Sequence, residues 1–419
     1  MHIAFFNRSY YPDETATGQL LTDLAEDLVR VHGCRVSVVA GWPLTRAGAS
    51  IRPPFRLVVR EEHGGVEILR ARGTRFSKHR FIGRATNYVT YFLSACWAGL
   101  RLDRPDVVVA LTDPPIIGLA AYLSGRRFGA PLVMAFKDLF PEVAVLLQDF
   151  HSETVNAGLQ RVNRFLVRRA VMNVALGETM RQRLIEDKGA PPERTTIIAD
   201  WADTAAIVPG PRTNAFSVAH GLTGKFVVMH SGNLGLSQSL DTIVQAAYLL
   251  GDLKDLQVVF QGEGVKKADL QQQVRDLGLT NVTFLPFQPK ARLSESFATA
   301  DLFIVSLQAG LAGYIVPSKL YGILAAGRPY VAAVEPASEV ATLTTANECG
   351  ALAAPGDAAS LAREIRAFHD DPDRGARCGR HARALSMSFD RRLQVVKYLA
   401  VFEAATRPAA AAAPVVAAR

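Results

Sequence analysis

The feature that most constrains this chain is its rhythm. Short, uniformly apolar, β-branched runs alternate with helix-length segments along almost the whole sequence. The runs fall at 2–7, 35–40, 66–71, 106–111, 131–136, 173–176 and 195–199, then at 226–230, 257–261, 282–286, 302–306 and 330–334. Most lack strict polar–apolar alternation, so both strand faces are buried, as in the parallel sheets of α/β proteins. Between them, 17–30 sets Leu20, Leu21, Leu24 and Leu28 at helical spacing, and 237–250 and 268–277 read the same way. A chain of 419 residues divides at roughly 100–200 residues per domain into two such domains. The Pro-, Gly-, Thr- and Asn-rich stretch 207–224 separates the two series. It places one Rossmann-like domain at 1–206 and a second at 207–387. The run 408–419, PAAAAAPVVAAR, is low-complexity and is expected to be disordered. Ligands of doubly wound sheets sit beyond the carboxyl ends of the strands.

Composition removes several function classes. With 49% apolar and 21% charged residues, the chain is globular rather than disordered. Its longest nearly uncharged apolar stretch, 88–100, is shorter than the roughly 18–20 residues a membrane span needs. Met1-His2-Ile3-Ala4-Phe5-Phe6 shows no basic leader and no cleavage site, so a cytoplasmic location is expected. Cys34, Cys96, Cys349 and Cys378 form no CxxC pair and no zinc spacing, so reduced thiols are expected. The net charge is 47 − 39 = +8, and it is concentrated in the first half. Arg72, Arg75, Lys78, Arg80 and Arg84 lead into a run carrying Tyr91, Phe92 and Trp97. That pattern suits an anionic membrane surface or an anionic lipid-linked substrate; it equally suits a solvated loop entering a core helix. No nucleic-acid-binding signature accompanies it, so nucleic acid is not expected as a partner.

The familiar nucleotide signatures are missing. No GxGxxG follows an early strand, and no Walker motif, GxSxG or HExxH occurs. Three loops remain that suit a nucleoside diphosphate. One is His230-Ser231-Gly232-Asn233-Leu234-Gly235, and the second is Gly262-Glu263-Gly264. The third, from Gly310 through Gly313 and Tyr314 to Ser318-Lys319, ends at a helix start. Glycines admit phosphate close to backbone N–H groups, and a lysine at such a turn supplies charge.

These residues resemble a known family. Tyr10-Tyr11-Pro12-Asp13-Glu14-Thr15-Ala16-Thr17-Gly18, Asp138-Leu139-Phe140-Pro141-Glu142, Gly232-Asn233-Leu234-Gly235 and Pro317-Ser318-Lys319-Leu320-Tyr321-Gly322 are similar to GT-B glycosyltransferases of family 4. The nearest subgroup is the bacterial exopolysaccharide and O-antigen enzymes of the colanic-acid type, fucosyltransferases or N-acetylfucosamine transferases. The resemblance implies two Rossmann-like domains facing each other across a cleft, with a final helix (388–407) crossing back onto the first. That helix has an apolar stripe of its own, Leu393, Val396, Leu399, Ala400 and Phe402. It also implies a retaining, metal-independent sugar transfer within surface-polysaccharide assembly. The donor would be a UDP- or GDP-sugar, and the acceptor a polyprenyl-diphosphate-linked saccharide at the inner face of the plasma membrane.

On that basis the donor diphosphate falls to Lys319 and Ser318, with Gly232, Asn233, Gln238, Gly262, Gly264, Gly313, Tyr314 and Leu320 around it. Lys137 and Asp138 join Lys319 as catalytic candidates. Asp138 is expected either to orient a sugar hydroxyl or to cap the segment ahead of Pro141-Glu142. Asp13, Glu14, Gly18, Arg75 and Arg80 are acceptor candidates, although Asp13 and Glu14 equally suit a helix N-terminus. The chain departs from the family pattern in three places. Asn233 and Gln238 stand where many members carry Arg and Lys. Tyr314 and Gly322 replace the paired glutamates, and Lys137-Asp138 replaces His-Asp. Two rivals stay open: a sugar-nucleotide 2-epimerase-like enzyme and, motivated by the missing glutamates and Arg/Lys pair, a non-catalytic sugar-nucleotide-binding scaffold.

Overall fold

The structure is a computed structural model. It describes residues 1–407 except 14, 44, 47–48, 51–54, 77–80 and 148–151, and gives no side-chain account of 45–46, 49–50, 81–82 and 84. The chain forms two compact units, Met1–Ala199 joined by the chain from Gln394 on, and Asp200–Leu393.

The first unit contains β1 (His2–Phe6), β2 (Arg35–Gly41), β3 (Thr45–Arg46), β4 (Ala49–Ser50), β5 (Val58–His63), β6 (Val66–Ala71), β7 (Val107–Ala110), β8 (Leu132–Ala135), β9 (Met172–Ala175) and β10 (Thr195–Ile197). Its main sheet has the order β10-β9-β8-β7-β1-β2-β6-β5. Phe5 pairs in parallel with Val38 on one side and Val109 on the other. Every residue of β1 and β7 is buried, as uniformly apolar central strands require. From β1 the chain steps one way to β2, and from β7 the other way to β8. The loops after β1 and β7 therefore part at a topological switch point.

The second unit contains β11 (Phe226–Ser231), β12 (Leu256–Gln261), β13 (Val282–Leu285), β14 (Leu302–Ser306), β15 (Tyr330–Ala333) and β16 (Gly350–Ala353). All pairings in the order β13-β12-β11-β14-β15-β16 are parallel. Its switch point lies between β11 and β14. Val228, Val258, Phe260 and Ile304 form a core with Ile243, Val244, Leu361 and Ile365 from the covering helices.

The structure departs from the sequence reading in four places. The division falls at 199/200 rather than 206/207, because residues 202–207 are tied into the second unit. Ala202 bridges Asp390, Thr204 donates to Asp390, and Arg383 donates to the carbonyls of Thr204 and Ile207, each at 3.1 Å. The helix expected over 237–250 is broken: a 3-10 turn, Leu236–Gln238, meets Ser239 at φ 42° before the helix Asp241–Leu249 begins. The last helix, Arg391–Thr406, buries Phe402 of the expected stripe together with Gln394, Val395 and Tyr398, and leaves Leu393 and Val396 half-exposed. Its phase is set by aromatics, since Phe402 packs edge-on to Phe5 at 5.8 Å and beside Tyr398. The edge strands β5 and β16 and the pair β3–β4 are additional to the expected runs. Among the described residues, no helix is long and apolar enough to cross a membrane.

Candidate functional site

In the second unit the site grows from the ends of β11 and β12. Gly232 has φ 133° and Gly262 φ 152°, backbone that L side chains rarely adopt. The two loops lie backbone on backbone. Gly232 N donates to Gln261 O at 2.9 Å, Leu234 N to Glu263 O at 2.8 Å, and Lys266 N to Leu234 O at 3.0 Å. A Cβ on Gly262 would sit 1.9 Å from Gly232 O, and one on Gly264 2.3 Å from Leu234 O. The room these two glycines leave is thus filled by the neighbouring loop, a packing role distinct from the ligand contact expected of them. Gly232 differs, since the space its missing Cβ leaves faces Lys319, 3.4 Å from Cε and 3.5 Å from Nζ.

Lys319 opens the helix Lys319–Ala325. Its Nζ lies 3.0 Å from Nε2 of His230, a fully buried residue of β11. Burial lowers the Lys319 pKa to about 7. Burial and then the Lys319 charge push His230 well below its ordinary range. Two nitrogens at this distance share one proton between a donor and a lone pair, so the pair carries at most one charge. The loop leading to Lys319 is pinned by Glu335, whose Oε2 accepts from Gly310 N at 3.0 Å and Ala312 N at 3.3 Å. Gly310 and Gly313 turn that loop at φ 88° and 80°. Tyr314 N donates to Leu311 O, and Ser318 precedes the helix without a side-chain capping bond. Asn233 is exposed, whereas Gln238 spends its Oε1 on Gly235 N at 3.4 Å. Leu320 is wholly in the core and its N donates to Pro317 O, so its side chain offers nothing to a ligand. Gly322, at the second glutamate position, packs against Phe297, where a Cβ would lie 3.0 Å from the ring. A side chain there would require that ring to shift.

In the first unit, the ends of β1, β7 and β8 gather charge. Arg8 Nε meets Asp113 Oδ1 at 3.1 Å, and Ser9 Oγ donates to Asp113 Oδ2 at 2.7 Å. Thr112 Oγ1 donates to Asp138 Oδ1 at 2.5 Å and accepts from Lys137 N at 3.4 Å. Burial raises the Asp138 pKa to about 7, against the Thr112 bond and with help from the Asp113 charge. Asp138 does not cap the following helix, Glu142–Leu146, which has no side-chain cap. Burial also raises the pKa of Asp13, opposed by Arg8 and Arg70. Gly18 N donates to Thr15 Oγ1 at 3.3 Å, and a Cβ there would crowd that oxygen, so Gly18 makes room for the helix cap. Arg75 donates to Pro43 O at 2.8 Å. Glu14 and Arg80 lie outside the described residues. The structure therefore brings Lys137 and Asp138 together, and Lys319 with Gly232, each set within its own unit.

Sequence reasoning passed over Arg8, Thr112, Asp113 and Glu335, and named His230 only as the first residue of a glycine-containing loop. Arg8, Thr112 and Asp113 each stand directly after a strand that it identified. That position was the available signal. Glu335 follows a strand as well, but its target is a loop more than twenty residues away, and nothing local marks it.

Two family profiles match this architecture. "Glycosyl transferase 4-like domain" matches residues 15–201 and "Glycosyl transferases group 1" matches residues 213–385. The chain belongs to the group 1 glycosyltransferases. It is 27% identical over 294 residues to the probable glycosyltransferase WbjE of Pseudomonas aeruginosa, covering 70% of this chain and 73% of that protein. It is 28% identical over 262 residues to the putative colanic acid biosynthesis glycosyl transferase WcaI of Escherichia coli K12, covering 58% and 61%. Among solved structures, HepE of Anabaena in complex with UDP and glucose superposes with a TM-score of 0.72 at 18% identity, covering 96% and 99% of the two chains. WaaG, a glycosyltransferase involved in lipopolysaccharide biosynthesis, superposes with a TM-score of 0.70 at 16% identity over 96% and 99%. The fold of this glycosyltransferase is GT-B, with two Rossmann-like α/β domains.

Proposed function

We propose that this glycosyltransferase moves a sugar from a nucleoside-diphosphate donor to a lipid-linked saccharide in surface-polysaccharide assembly, with retention and without a resident metal. The observation that carries the reading is Lys319, an amine with no carboxylate partner among the described residues, beside the glycine-lined end of β11. Breaking the bond between the anomeric carbon and the diphosphate oxygen leaves negative charge on the departing group. A fixed cation at that place stabilises the charge as it develops. In front-face transfer the acceptor oxygen bonds to the anomeric carbon, and its proton passes to the departing phosphate oxygen. In the first unit, Asp138 and Lys137 are the groups suited to hold sugar or acceptor hydroxyls. The printed names of WcaI and WaaG support the polysaccharide setting, and the UDP and glucose in HepE support a nucleotide-sugar donor.

A second observation supports action at a membrane. The helices Phe81–Gly99, Ile117–Phe128 and Glu153–Arg169 neighbour one another in turn on the first unit. Their sequences hold Arg84, Arg126, Arg127, Arg161, Arg164, Arg168 and Arg169 against one carboxylate, Glu153. Val89, Leu93 and Trp97, spaced four apart, are exposed on the first helix, as are Leu123 and Phe165 on the others. Exposed apolar and aromatic groups among arginines suit the interface of an anionic bilayer.

The test is nucleoside-diphosphate release from UDP- and GDP-sugars, with and without a membrane extract holding lipid-linked saccharides. Release that requires the extract is expected. Turnover of the nucleotide sugar without an acceptor would favour epimerisation or hydrolysis, and binding without turnover would favour the scaffold.

A further inference from the structure

We propose that His230 is a positioning residue. Its neutral imidazole holds the Lys319 amine in the empty site, and diphosphate binding draws one proton from solvent onto Lys319. This inference rests on the donor-site reading above. It starts from an unusual choice of partner. A buried lysine normally answers its charge with a carboxylate, as Lys188 does with Glu142 Oε2 at 2.6 Å in the first unit. The half-buried Lys319 has the Nε2 of His230 instead, at 3.0 Å. Two carboxylates on the loops of this site are engaged elsewhere. Glu335 accepts from the amides of Gly310 and Ala312, and Glu263 is paired with Lys267 at 2.6 Å. Among the described residues, burial is the cause acting on the Lys319 amine, and the charge acting on His230 is Lys319 itself.

The arrangement has a chemical consequence. A carboxylate would hold Lys319 charged at all times, would have to yield it to the diphosphate, and would repel that dianion. An imidazole that stays neutral fixes the amine by one hydrogen bond and opposes nothing. The cost is that the empty site does not keep the lysine charged at mildly alkaline pH. When the diphosphate arrives, its charge favours the ammonium, and the missing proton is taken up. Besides Lys319, the imidazole meets the backbone at Asn233 and Ile304, which fixes the ring whose Nε2 holds the amine. Loss of the ring nitrogen should free the lysine.

The experiment is calorimetric titration of the full chain with UDP and with GDP, in buffers of differing ionisation enthalpy, at about pH 6 and about pH 8. Wild type is expected to take up close to one proton at about pH 8 and much less at about pH 6, with affinity falling about tenfold per pH unit above the lysine pKa. Lys319→Met should bind more weakly with no proton uptake. His230→Phe should lose about tenfold in affinity at about pH 8, whereas His230→Gln, which keeps an acceptor, should recover most of it. Circular dichroism confirms that each variant is folded. Binding by wild type without proton uptake, or a folded His230→Phe that binds like wild type, overturns this inference and leaves the donor site standing. Failure of wild type to bind either nucleotide overturns both.

Discussion

Replacing Asp138 with asparagine should make the protein more stable and less active, and the gain should depend on pH. The Asp138 carboxyl has a pKa of about 7 in the fold against an ordinary 3.8, chiefly because of burial. That shift of about 3 units, at about 1.4 kcal/mol each, sets a ceiling of about 4 kcal/mol. The side chain is only partly shielded from solvent, so about 1–3 kcal/mol is the working figure. The sign follows from linkage. The folded protein holds this proton more tightly than the unfolded chain, so stability is lost as pH rises from about 4 to about 7, and the loss is complete above that. Asparagine carries no charge and keeps an oxygen to accept from Thr112. Its advantage should be nearly absent at about pH 4, less than half developed at about pH 5, and full at about pH 8. Urea unfolding of both proteins across this range measures it, and turnover of the same samples should fall sharply. A carboxyl retained at a cost to stability is the mark of a candidate working site. An asparagine variant that is less stable at about pH 8, or a difference that does not change with pH, would refute the desolvation argument.

Three further outcomes follow from the same structure. Gly262→Ala should destabilise the second unit by about 2–5 kcal/mol, since a Cβ 1.9 Å from Gly232 O adds overpacking to a strained backbone; thermal unfolding reads this, and nucleotide binding should vanish with it. Lys188→Met leaves Glu142 and the Phe140 carbonyl without their shared donor and should cost about 3–5 kcal/mol, measured by urea unfolding at neutral pH. The double variant Leu93→Ser, Trp97→Ser should keep its fold by circular dichroism while losing most flotation with vesicles rich in anionic phospholipid; unchanged flotation would remove that helix face from the membrane reading.

The sequence was most legible where a residue's surroundings repeat along the chain. The buried parallel strands announce themselves because both faces of β1, β7, β11 and β14 must be apolar. The edge strand β5, Val-Val-Arg-Glu-Glu-His, hides because half of it faces solvent and its register comes from β6. Lys319 was legible as a charged group at a glycine-rich turn. Its partner was not, because His230 ends a strand 89 residues earlier and only the pairing of β11 with β14 brings the two elements close. The last helix was partly misphased for a related reason: the stripe that includes Phe402 passes over Tyr398, which packs beside Phe402 where Phe402 meets Phe5. Gly262 and Gly264 look from sequence like ligand loops, and only the backbone of the neighbouring loop reveals that they serve packing.

The proposed transfer depends on Lys319 as the seat of the departing diphosphate. A crystal structure of the protein with bound nucleoside diphosphate tests that most directly. The expected result is a terminal phosphate oxygen within hydrogen-bond distance of Lys319 Nζ, next to Gly232. A nucleotide bound with its phosphates elsewhere, and Lys319 still engaged only by His230, would contradict it.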